Sequence, residues 1–66
     1  MSNYIIIERD PHAEIITWCL NQFGKGDYSY NLVEGYRWSI YRYTYGGLRV
    51  NFANEEDLTW FKLRFS

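Results

Sequence analysis

A chain of 66 residues has room for one hydrophobic core, so residues 1–66 are read as a single α/β domain. The formal net charge of −1 gives no global pull toward nucleic acid or anionic lipid, and the lone cysteine, Cys19, excludes an internal disulfide. No apolar run approaches the ~20 residues of a membrane span, and the stretch from Met1 to Asp10 lacks the basic region of a signal peptide. The expectation is a reducing, cytoplasmic setting.

Domains of this size bury only ~60% of their unfolded surface. Three Trp, seven Tyr and four Phe offset that weakness, because each aromatic side chain can bury roughly 150–250 Å². Charge is unevenly placed. Residues 35–53 carry Arg37, Arg42 and Arg49 without an acid, and Glu55, Glu56 and Asp57 follow directly. Whether these basic and acidic groups pair within one molecule or between two is open on the sequence.

In chain order, Tyr4, Ile5, Ile6 and Ile7 predict a strand over 3–8, since aromatic and β-branched runs disfavour helix. Asp10 as N-cap and Pro11 at the first helical position open a helix over 11–23. Its buried stripe is expected at Ile16, Cys19, Leu20 and Phe23, with Gly24 as the left-handed terminator. Residues 24–34, with Gly24, Gly26, Asp27, Ser29 and Asn31, read mostly as a connecting loop. A strand from about Tyr36 to Tyr43, a turn around Thr44-Tyr45-Gly46-Gly47 and a strand over 48–52 make a β-hairpin. Asn54 then caps a second helix, with Asp57 in place of the usual capping-box Glu and a stripe of Leu58, Phe61 and Phe65.

The order β-α-β-β-α, with short connections and a right-handed crossover, predicts an α+β fold. Its three-stranded antiparallel sheet runs in the order 1-3-2 with both helices on one face, a ferredoxin-like arrangement lacking the final strand. Strand alternation sends Ile5, Ile7, Tyr36, Trp38, Ile40, Leu48, Val50 and Phe52 toward the helices. Tyr4, Ile6, Arg37, Ser39, Tyr41, Tyr43, Arg49 and Asn51 fall on the opposite face, with no helix left to cover it.

Chemistry-bearing residues do not converge. His12 is the only histidine, so no His-based zinc site of usual form can be built, and it is expected to be an ordinary surface residue. Cys19, on the apolar stripe, is expected to be inert packing. Consecutive helical positions point Glu55, Glu56 and Asp57 apart, which argues against a shared metal. Lys25 between Gly24 and Gly26 lacks P-loop spacing. Trp18 and Trp60 flank the helical stripes, each a core-edge residue or a partly exposed contact anchor, with the core edge preferred at this size. The expectation is a protein that is not an enzyme and needs no cofactor or metal.

Trp18-Cys19, Gln22-Phe23-Gly24, and Asn54-Glu55-Glu56-Asp57 leading into Phe61-Lys62-Leu63-Arg64-Phe65 resemble small proteins of tailed bacteriophages, notably those infecting marine cyanobacteria. In those proteins an acidic helix cap precedes a Phe-Lys-Leu-Arg-aromatic ending. The resemblance implies a small viral product acting in the host cytoplasm, binding a host factor or filling a minor place in the virion. It assigns no activity and no residue role.

The residues themselves point to a protein-binding surface, with Arg37, Tyr41, Tyr43, Arg49, Tyr4 and Asn51 as contacts, because Tyr and Arg are enriched in binding hot spots. The same face would suit single-stranded nucleic acid, with bases stacked on tyrosines and arginines on phosphates. A homodimer joined through sheet faces or a free strand edge is a third reading. Against all of these stands the commonest case, an ordinary solvated sheet face without a function of its own.

Overall fold

The computed structural model describes residues 3–8 and 12–65. The capping roles expected of Asp10 and Pro11 lie outside the described residues. The elements are β1 (Asn3–Ile7), α1 (His12–Phe23), β2 (Trp38–Arg42), β3 (Leu48–Phe52) and α2 (Glu55–Phe65). The three strands form one antiparallel sheet in the order β1-β3-β2, as the sequence predicts. Ile5 and Ile40 both register on Val50, which places the central strand between two β-branched neighbours.

Local chemistry accounts for the element ends. Gly24 takes φ 81° and donates its N–H to the Leu20 carbonyl at 3.1 Å, the left-handed stop that a side chain would strain. The hairpin closes through Gly46 N–H to the Tyr43 carbonyl, with Gly46 and Gly47 both at positive φ. Asn54 Oδ1 accepts the Asp57 N–H at 3.0 Å and so caps α2. Asp57 does not complete a capping box. Its carboxylate turns instead to Arg37, and the residue is buried.

The core lies between the helices and one sheet face. Ile15, Cys19, Trp38, Ile40, Leu48, Val50, Phe52, Leu58 and Phe61 are buried, and Ile5, Ile7, Ile16, Trp18, Phe23 and Phe65 pack around them. Most of the expected inward set is there. Two details of α1 differ. Ile15 shares the centre of the stripe with Cys19, and Leu20 is exposed, because the helix is rotated to bring Trp18 onto Phe23, Phe61 and Phe65 edge-on. Trp38 also fixes the start of the 24–37 loop. Its indole N–H donates to the Gly24 carbonyl at 2.8 Å, and a Cβ at Gly26 would collide with its ring.

Among the described residues, no helix is long and apolar enough to cross a membrane.

Candidate interaction face

Alternation along the strands places Tyr4 and Ile6 of β1, Arg49 and Asn51 of β3, and Ser39 and Tyr41 of β2 on the sheet face away from the helices. Of the sequence-predicted contacts, Tyr4, Tyr41, Tyr43, Arg49 and Asn51 gather there. Arg37 does not. Arg37 stands at the very end of β2, one residue before Trp38, with its carbonyl still accepting the Ala53 N–H; from that position its long stem curls round the end of the sheet to α2. Arg37 Nε and Nη2 donate to the two Asp57 carboxylate oxygens at 2.8 and 3.1 Å, and the guanidinium lies 5.2 Å from the Phe23 ring centre. This hydrogen-bonded carboxylate raises the Arg37 pKa further above its ordinary value. Arg37 of the basic stretch and Asp57 of the acidic helix start therefore pair within one molecule.

The face is also less open than alternation alone implies. Residues 27–31 cross it. Asp27 donates its N–H to the Trp38 carbonyl and accepts the Ile40 N–H, which ties the segment to the free edge of β2. Beyond it, Asn51 Nδ2 donates to the Tyr30 carbonyl at 2.9 Å and to Ser39 Oγ at 3.0 Å, while Asn51 Oδ1 accepts Arg49 Nε at 3.0 Å. Ser39 Oγ in turn donates to the Ser29 carbonyl. Ser39, Asn51 and Arg49 are consequently buried, and none of the buried polar side-chain atoms among the described residues lacks a partner. The Arg49 guanidinium is held between two rings, 3.8 Å from the Tyr4 centroid and 4.4 Å from that of Tyr30.

The accessible part of the face is a run of tyrosines. Tyr30 meets Tyr41 edge-on at 5.3 Å and Tyr43 at 6.3 Å. Tyr41 meets Tyr43 at 5.3 Å, and Tyr43 stacks on Tyr45 at 5.1 Å. Tyr45 is 83% exposed, and Tyr30, Tyr41 and Tyr4 are also exposed. A recess of about 340 Å³ lined by Ile6, Glu8, Tyr43, Tyr45, Gly46 and Gly47 borders the run. That volume is at the small end for a ligand pocket and suits one or two inserted side chains. Sequence reasoning missed Tyr30 and Tyr45, which sat in segments read as loop and turn. The Tyr28-Ser29-Tyr30 alternation inside an otherwise polar loop is the signal that could have found Tyr30.

The remaining candidates stand apart. His12 is half-buried in the first turn of α1. Cys19 is fully buried, and desolvation pushes its thiol up to about 12, far from a nucleophile's range. Glu55 and Glu56 are exposed while Asp57 points inward. Among the described residues no group of three His, Cys, Asp or Glu side chains could hold a metal. Trp18 is a core-edge residue, as expected. Trp60 is not: it is 55% exposed and, with Leu63, lines a shallow apolar groove between α1 and α2.

Comparison with protein families, curated proteins and solved structures finds no match to this chain.

Proposed function

We propose that the protein is a non-enzymatic interaction module that binds a host or viral protein through the Tyr30-Tyr41-Tyr43-Tyr45 run. The observation carrying this reading is a set of aromatic rings, exposed at Tyr30, Tyr41 and Tyr45 and half-buried at Tyr43, braced against one another in front of a hydrogen-bonded polar layer. Rings fixed before binding lose little side-chain freedom when a partner covers them, which is the economy of tyrosine in binding surfaces. The partner surface would be largely apolar, with a protruding side chain for the recess at Tyr43 and Tyr45 and acceptors for the tyrosine hydroxyls.

The same geometry disfavours single-stranded nucleic acid. A strand-binding groove needs cations that reach phosphates. Here Arg37 is committed to Asp57, and Arg49 is buried between Tyr4 and Tyr30. A product of the tailed-phage kind that the sequence resembles would meet its protein partner inside an infected cell.

The test is the double substitution Tyr41→Ala and Tyr43→Ala. Binding partners recovered from host lysate by the native chain should be lost at least ~10-fold, as for hot-spot truncation, with an unchanged far-UV circular dichroism spectrum. A labelled ~20-nucleotide single strand is titrated in parallel at ~50 and ~200 mM salt. Undiminished protein capture by the double variant, or micromolar strand binding that collapses at the higher salt, would overturn the reading.

A further inference from the structure

We infer that the outer edge of β1 pairs with the same strand of a second copy of the chain, antiparallel about a two-fold axis at Ile5. The inference stands apart from the tyrosine run and does not require it to have a partner.

The two edges of the sheet are treated differently. The edge of β2 is occupied by Asp27, which takes the Trp38 carbonyl and the Ile40 N–H. Among the described residues, nothing pairs with the outer edge of β1. That strand, Asn-Tyr-Ile-Ile-Ile, has no charge, proline or bulge, the devices by which exposed edges are usually protected.

The hydrogen-bond pattern fixes which backbone groups β1 presents. In an antiparallel ladder each residue turns its N–H and C=O to one side, and successive residues alternate. Ala53 N–H bonds to the Arg37 carbonyl and Tyr43 N–H to the Gly47 carbonyl, so the odd-numbered residues of β3 bond toward β2. Leu48, Val50 and Phe52 then bond toward β1, to Ile7, Ile5 and Asn3. The N–H and C=O groups of Tyr4 and Ile6 are left facing outward. Two copies related by an axis at Ile5 set Tyr4 of one against Ile6 of the partner subunit, and each such pair exchanges two hydrogen bonds. All outward groups of both strands are satisfied in that one register. Tyr4 and Ile6, 42% and 50% exposed, would cover each other across the new seam.

Charge on the helix layer agrees with this symmetry. α2 follows β3 after only Ala53 and Asn54, packs over β1 and β3, and so runs parallel to β1. Arg64 bonds Glu14 at 3.2 Å, and Trp60 shares a groove with Trp18, so these residues mark the flank of α2 that faces α1. At about 100° per residue, Glu55, Thr59 and Lys62 fall on the opposite flank, above the free edge of β1. The two-fold axis makes the α2 helices antiparallel. Glu55 at one end then lies beside Lys62 of the partner subunit at the other, twice over. One strand pair and one helix flank make an interface at the small end of the specific range, the class of weak and transient associations, and we take a micromolar Kd as the expected affinity.

Light scattering after size exclusion at about 100 µM, well above a micromolar Kd, should give a mass twice the 8.0 kDa of the chain. Ile6→Pro removes an outward N–H without touching the ladder to β3 and should return the mass to 8.0 kDa with the circular dichroism spectrum retained. Ile6→Lys, which leaves the backbone intact, decides the matter if the proline variant does not fold. Glu55→Lys alone should weaken the dimer about fivefold, and adding Lys62→Glu should restore it. A native chain of single mass at this concentration, an Ile6→Lys variant that still dimerises, or a charge swap without restoration would overturn the proposal.

Discussion

Asn51 is the residue on which the polar side of the sheet is assembled. Its amide joins the side chains of Arg49 and Ser39 to the backbone of Tyr30, so one side chain links β3, β2 and the crossing segment. Replacing it with Ala removes three hydrogen bonds and leaves Arg49 Nε without its acceptor inside a buried layer. Each stranded polar group costs about 1–3 kcal/mol, and local relaxation recovers part of that. We therefore expect Asn51→Ala to lower stability by about 2–4 kcal/mol, read as a fall in the urea midpoint at unchanged slope. A loss below about 0.5 kcal/mol, the range of an ordinary surface change, would show that the network does not hold the crossing segment in place. The tyrosine run depends on this layer indirectly, since Tyr30 braces both Tyr41 and Tyr43.

At the scale of elements, α2 illustrates how a short helix is specified. The Asn54 side chain satisfies the Asp57 N–H, Glu55 and Glu56 stand at the positive end of the dipole, and Leu58 and Phe61 are buried. Asn54→Ala should cost about 1 kcal/mol and Asn54→Gly only a few tenths, measured as shifts in the thermal midpoint. Equal losses in the two variants would mean that the side-chain cap is not what starts the helix. Elements of this kind were legible in the sequence because their signals are local: a cap, a glycine stop, an alternating strand, a Gly-Gly turn. Even the 1-3-2 order followed from short connections and the handedness of crossovers. What was not legible depends on groups distant in sequence. The path of residues 27–31 is set by Asn51 and Ser39, and the position of Arg37 by Asp57, 20 residues away. Local alternation put Arg37 on the wrong face because a long side chain at the end of a strand can turn round it toward a carboxylate that only the fold supplies.

For the molecule as a whole, Cys19 reports on cooperative opening. It lies within the core that both helices and all three strands build, with no exposed surface. An ordinary thiol ionises near 9.0, whereas burial pushes that of Cys19 up to about 12. The unfolded chain therefore loses this proton first. The contribution to stability is whole below pH 9.0 and declines as pH rises toward about 12, by at most about 1.4 kcal/mol for each pH unit. Tyrosines also titrate in that window, so the comparison is with Cys19→Ala, which keeps them. Between about pH 8 and about pH 10, the stability difference between native chain and variant should shift against the native chain by up to about 1.4 kcal/mol. Iodoacetamide should modify the native thiol only as fast as the whole domain opens, so urea that lowers global stability should speed labelling in proportion. A constant stability difference across this range, or labelling indifferent to urea, would mean that Cys19 is reached by a local opening of α1 rather than by unfolding of the domain.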